Sequence, residues 1–158
     1  MERPPRGAGP SQSFMKACIG IDPGKNGGIA IVSDAHKPHA LKMPETIADI
    51  YETILSLRFW ADAGAHAAIE AVHSSPQMGV KSAFTFGEGF GWLCMALTAA
   101  GIPWRTVRPQ AWQKELGCLT KGDKNVSKRK AQALFPELTI THATADALLI
   151  AEWLRRQP

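Results

Sequence analysis

Residues 18–31 read Cys18-Ile-Gly-Ile-Asp22-Pro-Gly-Lys-Asn-Gly-Gly-Ile-Ala-Ile31. Two Ile-rich apolar runs flank a short segment of Pro, Gly, Lys and Asn. Runs of this kind form strands and connections of this kind form tight turns, so residues 16–22 and 27–33 are predicted to make a hairpin. The first strand carries a single carboxylate, Asp22, to its end. An acid fixed at the end of a buried strand is a good first ligand for a hard cation. Asp22-Pro-Gly also suits a plain turn, with Asp first, Pro second and Gly where positive φ is wanted. Partner residues elsewhere in the chain decide between these readings.

Working outward, residues 39–43 suit a third strand. A helix is predicted from Glu45 through about Ala61, with Ile47, Ile50, Tyr51, Ile54, Leu55 and Leu57 on one broad face. Residues 66–70 fit a short buried strand ending in Glu70. Residues 79–100 form a long helix whose Phe84, Phe86, Phe90, Leu93, Cys94 and Leu97 occupy more than one face. A helix apolar on most sides must be covered on most sides, so one face should rest on a sheet and another on a second subunit. Gly87, Gly89 and Gly91 lower its propensity and permit close backbone approach. Residues 104–107 give a last strand, Pro109 opens a short helix at 110–116, and a helix runs through Leu134 before Pro136. Ser127 or Asn125 is a candidate cap for that helix. The final helix starts near Thr144, with Asp146 in its first turn and Ala145, Leu148, Leu149 and Trp153 at helical spacing. Three opening strands followed by alternating helices and strands make an α/β protein, a mixed sheet with helices on its faces.

The chain has 158 residues, enough for one domain with a full core, read here as residues 15–158. Residues 1–14 are rich in Pro, Gly, Arg and Ser, show no packing period and are expected to be a flexible tail, with Met15 a possible start. No apolar run approaches a membrane span and no secretory signal is visible, so a cytoplasmic setting is expected. The net charge of +4 is compatible with a polyanionic partner. Cys18, Cys94 and Cys118 match no zinc spacing and read as inert thiols in a reducing compartment.

Asp22, Glu70 and Asp146 end strands or begin a helix at what should be one rim of the sheet, with His142 just before Asp146. Three carboxylates that close repel unless cations compensate, and oxygen ligands suit Mg²⁺ or Mn²⁺. A pair of such ions can activate water and stabilise the leaving oxygen of a phosphodiester. Bland readings stand beside these. Glu70 suits an exposed edge, Asp146 suits the positive end of a helix dipole, and His142 suits a loop.

Ile-Gly-Ile-Asp22-Pro-Gly, Ala-Ile-Glu70-Ala-Val-His73 and His142-Ala-Thr-Ala-Asp146-Ala-Leu-Leu-Ile-Ala-Glu-Trp resemble RuvC-type crossover junction endonucleases. The resemblance is closer to the RuvC-like group of phages and bacterial genomes. Phe84-Thr-Phe-Gly-Glu-Gly-Phe-Gly and Val107-Arg-Pro-Gln-Ala-Trp-Gln-Lys support it, and it spans about residues 16–156. The resemblance implies an RNase H-like fold whose five-stranded sheet has its first three strands antiparallel. It also implies a homodimer, here through helix 79–100, with Mg²⁺ or Mn²⁺ and paired nicks in a four-way (Holliday) DNA junction. Asp22, Glu70 and Asp146 match the catalytic and metal-binding carboxylates. His142 matches loosely, because the family's acid or histidine three residues before the last Asp corresponds here to Ala143. His73 stands where the family commonly has an aromatic that stacks near the junction centre.

Lys121, Lys124, Lys128, Arg129 and Lys130 form a basic stretch, candidate DNA-binding residues together with His73. Its other reading is a solvated helix face balanced by Asp123. Lys81, Arg105, Arg108, Ser74, Ser75 and Gln77 are lesser candidates. None of the five tryptophans is assigned to DNA stacking; Trp92 and Trp153 read as packing residues and Trp112 as partly exposed. Two other functions fit parts of the chain. One is a nucleotide-binding domain of the actin and sugar-kinase kind, with Asp22-Pro-Gly-Lys-Asn-Gly-Gly as a phosphate loop. The chain is short for the two lobes that reading needs. The other is a non-catalytic DNA-binding protein of the same fold.

Overall fold

The computed structural model describes residues 16–61, 64–73 and 75–158. The expected tail at 1–14, Met15 and Ser74 lie outside the described residues. The described chain runs β1 (Ala17–Asp22), β2 (Gly28–Ser33), β3 (His39–Lys42), α1 (Ile47–Trp60), β4 (Ala65–Glu70), α2 (Val80–Ala99), β5 (Trp104–Val107), α3 (Pro109–Glu115), α4 (Lys124–Leu134) and α5 (His142–Arg156). The strands form one five-stranded sheet in the order β3-β2-β1-β4-β5. β1 pairs antiparallel with β2, and β2 with β3, while β4 runs parallel to both β1 and β5. This is the mixed sheet with three antiparallel opening strands that the resemblance implied.

Alternation along the strands sorts side chains between two cores. Ala17, Ile19 and Ile21 of β1 and Ala67 and Ile69 of β4 join α1 and α2 on one face. Cys18 of β1 and Ala68 of β4 join α3, α4 and α5 on the other. The period of two therefore sends Asp22 and Glu70, in step with Cys18 and Ala68, to the face that α5 covers.

Glycine makes that cover close. A Cβ on Gly20 would collide with the backbone of α5 at Ala147 and Ala151, and one on Gly28 with the Ala143 carbonyl. Ala143, Ala147 and Ala151 recur every fourth residue, so they form one small-residue stripe lying directly on β1 and β2. Gly28 is the partner of Asp22 across the hairpin. The first turn of α5 is thus seated beside the Asp22 end of β1.

α1 buries a narrower stripe than its sequence suggested. Ile50, Ile54 and Leu57 are buried, while Ile47 and Tyr51 at the margins remain 55% and 39% exposed. α2 is seated mainly through its C-terminal half, where Leu93, Ala96 and Leu97 are buried. Val80, Phe84 and Met95 stay exposed, and a Cβ on Gly87, Gly89 or Gly91 would meet nothing within 4 Å. Close approach at these glycines is therefore not realised among the described residues.

Three local expectations are corrected. α5 begins at His142, not near Thr144, because Thr141 and Thr144 form a reciprocal capping box. Asp146 consequently lies in the second turn. α4 is capped by Asp123, whose carboxylate accepts from the Asn125 N–H at 2.9 Å. Ser127 is instead buried, its hydroxyl donating to the Lys124 carbonyl at 3.2 Å. Trp112, expected to be partly exposed, is fully buried.

Candidate active site

Asp22 and Glu70 are the last residues of two adjacent parallel strands, so both carboxylates reach the same rim of the sheet. The register aligns Ile21 with Ile69, which sets the two acids side by side. Pro23 and Gly24 turn the chain immediately after Asp22; Gly24 takes φ +104°, and the Gly27 N–H donates to its carbonyl at 3.0 Å. A Cβ on Gly24 would lie 2.9 Å from the Phe86 ring of α2, so this ring braces the turn. Asp146 arrives from the other direction, one turn along α5 from the Ala143 carbonyl that rests on Gly28.

The three acids feel one another. Burial, then Glu70 and Asp146, push the Asp22 carboxyl up to about 7, against a partial pull downward from Lys124. Burial also raises Glu70, while the Trp112 indole, donating to Glu70 Oε2 at 2.8 Å, lowers it and Asp146 raises it further. Burial raises Asp146, with Ser127, Lys124 and His142 pulling it partly back. A raised carboxyl marks a charged form that its surroundings disfavour. Asp146 Oδ1 is shielded from solvent and takes no hydrogen bond from the described residues.

Among the described residues, no three His, Cys, Asp or Glu side chains draw together into a finished cation cage. The acids are nonetheless coupled electrostatically. Their chemistry fits a hard divalent ion: the donors are all carboxylate oxygens, they are partly desolvated, and one oxygen has no partner among the described residues.

His142 is the first residue of α5, exposed, and near enough to pull the Asp146 carboxyl down. His73 is exposed in the loop after β4. Lys124 opens α4 and acts on all three acids. Arg129 acts on Asp123, and Lys130 acts on Cys118. Lys121 sits in the turn before α4 with φ +46°. Lys124 and Lys128, four residues apart, share one side of α4, while Arg129 and Lys130 turn away from it.

Two contributors escape sequence reasoning. Trp112 touches Glu70 across 42 positions of chain. The glycines at 20 and 28, which let α5 bring in Asp146, were read only as strand residues. The alanine spacing 143, 147 and 151 is the signal that could have identified them as a contact.

No protein-family model and no curated protein matches this chain. Solved structures do resemble it. The RuvC of Thermus thermophilus in complex with a Holliday junction substrate superposes with a TM-score of 0.64 at 20% identity, over 87% of this chain and 91% of that one. A second Thermus thermophilus RuvC structure gives a TM-score of 0.62 at 20% identity, over 87% and 92% of the two chains. The chain has the fold of these proteins, a mixed five-stranded sheet flanked by helices in the RNase H-like arrangement.

Proposed function

We propose that this chain is a divalent-metal-dependent endonuclease that hydrolyses phosphodiester bonds in branched DNA, four-way junctions above all. The observation that supports this reading is that Asp22 and Glu70 end adjacent parallel strands while α5 brings Asp146 within electrostatic reach of both, with raised carboxyls and an Asp146 oxygen that has no partner among the described residues. The similar structure that holds a Holliday junction substrate supports branched DNA as the substrate.

In this reading Asp22, Glu70 and Asp146 hold Mg²⁺ or Mn²⁺, with Asp22 central because both other acids act on it. When bound, such ions supply Lewis acidity and lower the pKa of water. His142 accepts a proton from the attacking water or orients it. Lys124, the cation that acts on all three acids, meets the phosphate at the scissile position. Lys121 and Lys128, the latter one turn along α4 from Lys124, contact neighbouring backbone phosphates, and His73 stacks on a base near the branch point.

The protein acts as a homodimer through α2. At about 100° per residue, Val80, Phe84, Gly87, Gly91 and Met95 fall on one stripe, roughly opposite the buried Leu93. An apolar stripe with open glycines suits close packing against a second copy. Phe84→Asp should convert a dimer to a monomer in sedimentation at micromolar concentration; a parent that is already monomeric there counts against this contact.

The central test uses a synthetic four-way junction and a linear duplex of the same sequence in Mg²⁺. The parent should nick the junction and spare the duplex. Asp22→Asn should bind the junction and lose nicking by about 10³-fold or more, several kcal/mol of transition-state stabilisation. Full nicking by Asp22→Asn would refute the assignment. Stabilisation by ATP with no response to junction DNA would favour a nucleotide-binding role instead.

A further inference from the structure

We propose that Trp112 is a positioning residue for Glu70, holding that carboxylate in the orientation a divalent cation requires; this rests on the metal-dependent reading above. Glu70 ends β4, and Val107 of β5 is its partner in the parallel pair. The Ala71 N–H donates to the Val107 carbonyl at 2.7 Å, extending the pairing just past Glu70. Only Arg108 separates β5 from α3, so α3 begins beside Glu70. Trp112, on the fourth residue of this seven-residue helix, then carries its indole back to Glu70 Oε2 at 2.8 Å.

The ring is fully buried in the core between the sheet and α5, against a cluster that includes Ala68, Val107 and Leu148. Its position is therefore set by packing on many sides. The indole N–H donates only and does not titrate, so it offers Glu70 one fixed donor at any working pH. A glutamate side chain loses considerable rotamer freedom when held in one place. Here that ordering is already accomplished by a neutral donor, which leaves the negative charge intact for a cation. Donors that orient a ligating carboxylate from behind typically change metal affinity by 10–100-fold.

The test is Mn²⁺ binding by calorimetry, without DNA. It compares the parent with Trp112→Phe and with a protein carrying β-(3-benzothienyl)alanine at position 112. That analogue keeps the bicyclic shape and replaces the N–H by sulfur, so it guards against a simple packing defect. Both variants should bind Mn²⁺ about 10-fold more weakly. In a Glu70→Gln background the same replacements should leave the residual Mn²⁺ affinity unchanged, because Trp112 acts through that carboxylate. Parent-like affinity in the benzothienyl protein overturns the positioning role alone. So does a further loss in the Glu70→Gln background, which a purely structural defect would produce. A parent that binds no Mn²⁺ overturns both this role and the metal-dependent reading.

Discussion

The two ends of α5 each carry an acid, and the fold treats them in opposite ways. At the C-terminal end, Glu152 is only 4% exposed and both its oxygens are ion-paired. Arg155 Nε and Arg156 Nε each approach it at 2.8 Å, and Arg155 reaches on to Asp34 at 2.8 Å. Burial alone would raise the Glu152 carboxyl, yet these guanidinium groups hold it below its ordinary value. At the N-terminal end, Asp146 meets Glu70 and Asp22, its carboxyl is raised, and its Oδ1 has no partner among the described residues. A protein that satisfies one acid so thoroughly has the means to satisfy the other. The Asp146 Oδ1, left without a partner among the described residues, is in the proposed reading the oxygen kept for a cation.

The sharpest way to break this contrast is to change the pH. Asp22 has a folded value near 7 against an ordinary 3.8. Between these values the folded protein keeps a proton that the unfolded chain has released, so stability falls as pH rises. For Glu152 the sign is reversed: its contribution is full above the ordinary value of 4.5 and is lost as pH falls through its lowered folded value. In EDTA, urea unfolding should show a loss of about 2–3 kcal/mol from pH 5 to pH 8, because about two pH units at ~1.4 kcal/mol each separate pH 5 from the folded value. A flat or rising profile over that range would mean the acid end is not strained.

Next in size is Glu152→Ala. It leaves Arg155 and Arg156 without their shared acceptor and should cost about 2 kcal/mol, less than a wholly buried pair because both arginines retain water contact. The smallest expected effect has the opposite sign. Asp22→Asn removes the central like charge and should stabilise the metal-free protein at pH 8 by about 1 kcal/mol, read as a higher thermal midpoint, while nicking is lost. A fall in stability for Asp22→Asn would place Asp22 with Glu152, as a structural acid.

Much of this was legible before any coordinates. Ile-rich runs around Pro23-Gly24 and Gly27-Gly28 dictate the hairpin, and its period of two already puts Cys18, Gly20 and Asp22 on one side. Glu70 closes a short apolar run that reads as a strand, and its burial follows from β5 pairing beside it. What could not be read are relations that local pattern does not encode. The cap at Thr141 depends on Thr144 answering it, and the two-residue error in the start of α5 followed from reading Thr144 as the beginning. The cations at 121–130 read alike in one dimension, and helix geometry keeps Lys124 and Lys128 on one side of α4 while turning Arg129 and Lys130 away. Trp112 resembled a surface residue beside Pro109 and Gln110 because nothing near it in sequence shows that its partner is Glu70.

The linear order of residues determined which groups could do chemistry and to which face of a strand each belongs, since alternation and helical spacing are properties of neighbours along the chain. Only tertiary structure decided which acid goes unpaired, which lysine acts on all three carboxylates and which indole steadies Glu70. These outcomes depend on distances between elements far apart in the chain. Those distances follow from how closely α5 rests on Gly20 and Gly28 and where α3 emerges beside β4.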